Sequence, residues 1–141
     1  MKVEKLVEVP ASKIYDLMVA SLISDYEEAT KEKLKKSEVK EALTYVKHFG
    51  KDKTQSVRVR VNELVENETY KVSISSNRGL QEISYQLKDE EEGTRVLFEE
   101  EYLPSNRFYR WNYQLLFPFF KRSLEKRMLL QIQKLAEFAN Q

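Results

Sequence analysis

The side chain in this sequence best placed to do chemistry is a carboxylate that alternation puts among apolar groups. In the run Arg95 to Tyr102, Val96, Phe98 and Tyr102 share one side of a strand, and Glu100 falls on the same side. A carboxylate there must be paired, hydrated or protonated, because burying it charged and alone is costly. Inside a cavity it would orient a polar ligand group or act as a general base. The alternative is a bulge or strand end near Pro104 that returns Glu100 to solvent with Glu99 and Glu101. Tyr45, Tyr70 and Tyr85 pose a similar choice, each presenting a hydroxyl to a cavity or packing with it at the rim. His48 alternates onto the solvated side beside Gly50, where a catalytic role is not expected.

Other chemistries lack their residues. The 141-residue chain has no Cys and one His, so it has no thiolate nucleophile, disulfide framework, Cys-based metal site or multi-histidine centre. With three glycines and no phosphate loop, nucleophile elbow or HExxH, nucleotide chemistry is not expected, and neither is a metal or cofactor. Lys+Arg total 24 against 23 Asp+Glu, which is no basic footprint for nucleic acid. The local cluster Lys31, Lys33, Lys35 and Lys36 is interspersed with Glu27, Glu28, Glu32 and Glu38, as on a solvated surface. The N-terminus MKVEKLVEVP lacks an apolar signal core, and the longest apolar run, Leu115 to Phe120, is far too short to span a bilayer. These features predict one soluble, cytoplasmic domain over residues 1–141.

The elements that would position these residues are marked by the scarce glycines. Gly50, Gly79 and Gly93 each separate two strand-like runs, and Asn67 marks a further turn, so residues 43–103 form an antiparallel meander. One face carries Val57, Val59, Val61, Tyr70, Val72, Ile74, Ile83, Tyr85, Leu87, Val96, Phe98 and Tyr102. The other is polar, and Arg58 and Arg60 are expected to pair there with acidic cross-strand neighbours. Before the meander, Val3 to Val9 is a first strand, and Pro10, Ala11 and Ser12 open a helix with Ile14, Leu17, Met18, Ser21 and Leu22 on one face. Residues 26–41 are mostly charged and predict a short exposed helix or ordered loop. After Pro104 and Ser105 comes a long helix with the stripe Tyr109, Tyr113, Leu116, Phe120, Leu124, Met128, Ile132, Leu135 and Ala139. A sheet with one apolar face and a helix with one apolar stripe bury each other if the sheet curls round the helix.

The segment FYRWNYQLLFPFF, residues 108–120, holds seven of the sixteen aromatics (eight Tyr, seven Phe, one Trp) with Arg107, Arg110, Lys121 and Arg122 around them. Trp111, Leu115 and Phe119 fall on a second face, so this half of the helix is apolar nearly all round. Either the first helix and the charged excursion cover that face, or it serves a partner, a homodimer, a ligand gate or a membrane surface. Pro118 should kink the helix or break it near Gln114.

The opening run VEKLVEVPASKIY, residues 3–15, with its strand, Pro-Ala junction and helix, resembles the start of the START-like (SRPBCC, helix-grip) superfamily. SSNRGLQEISYQL, residues 75–87, and the closing helix from Asn112 to Arg127 are similar to a bacterial family of unknown function within it. The resemblance implies an α+β fold in which a curved antiparallel sheet of about six strands grips a long C-terminal helix, with one or two short helices after the first strand. It also implies a cavity between sheet and helix for a small hydrophobic or amphipathic molecule, such as a lipid. The residues expected to line it are Tyr70, Ile74, Tyr85, Phe98, Glu100, Tyr113, Phe117, Phe120 and Leu124. Two alternatives stand beside binding. One is cyclase- or dehydratase-like catalysis using Glu100, and the other a filled core with dimerisation through Trp111, Leu115 and Phe119.

Overall fold

The computed structural model describes the backbone of residues 1–141 and every side chain except those of residues 109 and 112. Tyr109 of the expected stripe therefore lies outside the described side chains. Strand β1 (Lys2–Val7) leads into helix α1 (Ala11–Thr30), followed by β2 (Thr44–Phe49), β3 (Gln55–Val65), β4 (Thr69–Ser76), β5 (Gly79–Glu90), β6 (Gly93–Pro104) and helix α2 (Arg107–Ala139). The strands form one antiparallel sheet in the order β1-β6-β5-β4-β3-β2. Four consecutive hairpins build the meander, and β1 closes against the last strand. A register shift between Val61 and Glu63 bends β3 against β4.

Local chemistry accounts for the turns. Asn67 takes a positive φ of 61° between β3 and β4, a conformation its short polar side chain tolerates. Gly93, at φ +145°, lies so close to Val7 that an added Cβ would collide with that residue's carbonyl oxygen. Beside it Thr94 is fully buried, and its hydroxyl donates to the Val9 carbonyl. The start of β6 is thereby fixed against the exit of β1.

Helix α1 departs from the predicted short helix. It runs twenty residues, and between it and β2 there is one further helical turn, a 3-10 turn at Lys36–Glu38. Ile14, Met18 and Leu22 are buried, and Tyr26 and Ala29 carry the stripe one turn further onto the core, so the charged residues beyond Asp25 occupy the outer side of a continuing helix. Leu17 is only half-buried and Ser21 is exposed; the inward face runs through Tyr15 and Val19 instead. The first turn borrows an acceptor from the β5–β6 hairpin, the Asp89 carboxylate taking the Ala11 N–H at 3.3 Å.

Arg58 and Arg60 lack the expected acidic neighbours. Register sets Arg58 between Val46 and Ser75, and Arg60 between Thr44 and Ser73. Helix α2 passes through Pro118 without a break. The carbonyl deprived of its partner belongs to Gln114, which is exposed to water.

The core is sealed by Val61, Val96 and Phe98 of the sheet, Ile14 of α1, and Met128 and Ile132 of α2, all essentially inaccessible. Removing Met128 beyond Cβ should lower the unfolding free energy by about 2–5 kcal/mol, a cavity cost. Phe138→Ala, ten residues on and exposed, should change it by under about 0.5 kcal/mol. Urea midpoints of the two variants measure this, and equal losses would contradict the assigned core.

Candidate functional site between the sheet and the C-terminal helix

Helix α2 crosses the concave face of the sheet, and its two halves are packed differently. Met128, Ile132 and Ala136 in the second half are buried against the sheet and α1. In the first half Tyr113, Phe117, Phe120 and Leu124 are only half-buried, as are Ile74, Ile83 and Tyr85 on the sheet, while Tyr70 and Phe98 are buried. Two aromatic groups result. On the sheet Tyr85 stacks on Phe98 at 4.4 Å between ring centres, with Tyr70 edge-on at 6.3 Å. On the helix Tyr113 lies 5.5 Å from Phe117 and 6.1 Å from Phe120, and it reaches Tyr102 of the sheet at 5.3 Å. Offset and edge contacts of this kind add to the area the rings bury.

Glu100 is on the inner face, as strict alternation requires, and no bulge returns it to solvent. Its side chain is 11% exposed, opposite Ile83 in register. Arg127 of α2 donates to one carboxylate oxygen at 2.8 Å, and Gln81 of β5 to the other at 3.4 Å. The charge is thus paired and hydrogen-bonded where the packed and less packed halves of α2 meet. Neither partner is among the residues singled out from the sequence, though both carry a signal. Gln81 alternates with Ile83 and Tyr85, and Arg127 continues the spacing Phe120, Leu124, Arg127 of a helix face.

The tyrosine hydroxyls divide. Tyr45 is buried and donates to Asp25 of α1, whose carboxylate also binds Lys47 at 2.6 Å, and Tyr26 packs edge-on against its ring. That hydroxyl ties α1 to β2. His48 is exposed. Burial pushes the Tyr70 phenol up to about 12, with help from the Asp25 charge. The Tyr85 and Tyr113 phenols are likewise raised by burial and then by Glu100. Near neutral pH all three are hydrogen-bonding groups. Among the described residues no cluster of three His, Asp or Glu side chains is arranged to hold a metal ion.

The second face of α2 is not covered. Trp111 is 62% exposed and Phe119 84%, with Leu115 and Phe108 also exposed. Leu116, expected on the sheet side, belongs to this outer surface. Among the described residues, none of five surface concavities of about 180 to 570 Å³ is lined by the nine residues expected to bind a ligand. Of those nine residues, Tyr70, Tyr85 and Phe98 pack together on the sheet, Tyr113, Phe117 and Phe120 pack together on the helix, and Glu100 meets the helix through Arg127.

The raised phenols set a stability limit at high pH. Above pH 10 an unfolded tyrosine loses its proton while Tyr70 keeps it until about 12, so the unfolded chain binds fewer protons and stability falls as pH rises through that window. Below pH 10 this contribution is flat. In urea titrations Tyr70→Phe should shallow the alkaline slope by up to about 1.4 kcal/mol per pH unit. Parallel loss in the variant and the parent would show that Tyr70 does not carry the effect.

Comparison with known proteins supplies the context. A family model described as domain of unknown function DUF3284 matches residues 1–121. A search of curated proteins found no match. A protein of unknown function from Staphylococcus aureus, SA2116, is similar in structure with a TM-score of 0.67 at 16% identity, covering 99% of this chain and 92% of its own. The polyketide_cyc-like protein Cgl2372 from Corynebacterium glutamicum gives 0.54 at 16% identity, over 97% and 84%. Ara h 8.0201 gives 0.57 at 11% identity, over 92% and 96%. At these identities the likeness is one of fold, and that fold is the START-like grip of a curved sheet on a long helix. With the family model spanning most of the sequence, the chain belongs to the DUF3284 family, a domain family of unknown function, and its fold is of the START-like kind.

Proposed function

We propose that this protein is a single START-like binding domain, residues 1–141, that takes a small hydrophobic or amphipathic molecule between the concave sheet and the first half of α2. One observation carries the reading. Ile74, Ile83, Tyr85, Tyr113, Phe117, Phe120 and Leu124 remain half-exposed around one nearly buried carboxylate, whereas the other end of the same interface is sealed. Apolar surface left partly in water is surface a ligand can bury, at about 25 cal/mol per Å². The ligand enters by parting the two aromatic groups, the helix group being anchored to β6 through the Tyr102–Tyr113 contact. Tyr70, Phe98 and Glu100 form the floor. Arg127, 55% exposed, has donor capacity left to meet an anionic head group.

Binding is favoured over cyclase- or dehydratase-like catalysis by the state of Glu100. The Arg127 ion pair and the weaker Gln81 contact account for Glu100 as a group that ties α2 to the sheet, and no second acid or base stands beside it among the described contacts. The polyketide_cyc-like description belongs to the Corynebacterium glutamicum protein, and the fold it shares with this chain serves binding and catalysis alike.

Fluorescence titration with cis-parinaric acid tests the proposal. The expected result is saturation at one molecule per chain, weakened about tenfold or more by Tyr85→Ala and by Ile74→Trp. Phe138→Ala, on the far end of α2, should leave it unchanged. Absence of saturable binding, or equal weakening by all three variants, would overturn the reading.

A further inference from the structure

The exposed face of α2 is built for a surface of opposite charge. Trp111, Leu115, Leu116 and Phe119 form an apolar ridge about 12 Å long by helix rise, turned away from the sheet and from α1. Residues 107–124 contain Arg107, Arg110, Lys121 and Arg122 and no Asp or Glu, so this short stretch carries +4 in a chain whose net charge is +1. All four cations are exposed, and none is in an ion pair among the described residues. Cationic side chains flanking an amphipathic row of Trp, Phe and Leu are the composition of helices that lie in a membrane interface.

We propose that the first half of α2 docks on an anionic lipid surface, with Trp111, Leu115 and Phe119 seated at head-group level and Arg107, Arg110, Lys121 and Arg122 paired with lipid phosphates. Charge decides against a second copy of this chain. A two-fold contact through the ridge sets the same four cations against themselves, with no acid between residues 107 and 124 to relieve them. An anionic bilayer both neutralises those cations and covers the rings. Docking goes beyond the ligand reading and does not depend on it, since the ridge is on the opposite side of α2 from Tyr113, Phe117 and Phe120. Where both hold, the first half of α2 lies between the bilayer and the less packed end of the interior.

Trp111 is the only tryptophan, so its emission reports the ridge directly. Vesicles of equal parts phosphatidylglycerol and phosphatidylcholine should shift that emission to the blue and sediment the protein, and molar salt should reverse both. Phosphatidylcholine alone should do neither. Phe119→Glu should abolish co-sedimentation, and Arg110→Glu with Lys121→Glu should weaken it by at least about fivefold for each cation removed. These residues are exposed, and circular dichroism of each variant should match the parent. The proposal is overturned by a failure of anionic vesicles to shift Trp111, by equal binding to phosphatidylcholine alone, or by undiminished binding of both variants. A lipid-free, concentration-dependent blue shift with dimer formation by sedimentation would assign the ridge to a second copy instead.

Discussion

A six-stranded sheet with one apolar face must have that face covered, and this chain has two helices with which to cover it. Helix α1 and the second half of α2 do so over the region of Val61, Val96 and Phe98, where Ile14, Met128 and Ile132 exclude water. Beyond that region only the first half of α2 remains, and it is apolar on two sides. One side faces the sheet with rings that stay half-exposed, and the other faces outward uncovered. Architecture is set by the sealed part, and the functional proposals both concern the part left over.

The ion pair between Glu100 and Arg127 sits on the boundary. Burying a carboxylate among aromatics is tolerable only with partners, and one of them must come from the helix. That requirement ties α2 to β6 at Arg127, three residues past Leu124 and one before Met128. Helix N-terminal to this point is held by ring contacts, which are individually weak and separable. Helix C-terminal to it is held by a packed core. A single helix can therefore serve both as a structural closure and as one wall of the proposed site.

Much of this was legible in the sequence, because alternation and turn chemistry are local. Gly79, Gly93 and Asn67 marked turns that the strands obey, and period two put Glu100 inward among Phe98 and Tyr102, where it lies. What escaped depends on distant parts of the chain. The length of α1 was hidden by charged residues that decorate the outer side of its last turns. The neighbours of Arg58 and Arg60 follow from strand register, which no local pattern specifies. Arg127 looks like a surface cation until the carboxylate it meets is placed. The period of the Trp111 face shows that it is apolar, but coverage is a tertiary property. The structure leaves it open to solvent.

The division of α2 is tested most directly by amide hydrogen exchange resolved along that helix. Amides from Leu124 to Ala136 should exchange only on global unfolding, while those from Tyr113 to Phe120 should exchange orders of magnitude faster through local opening. Uniform protection from one end of the helix to the other would contradict the account, because the aromatic end would then be sealed as firmly as the core.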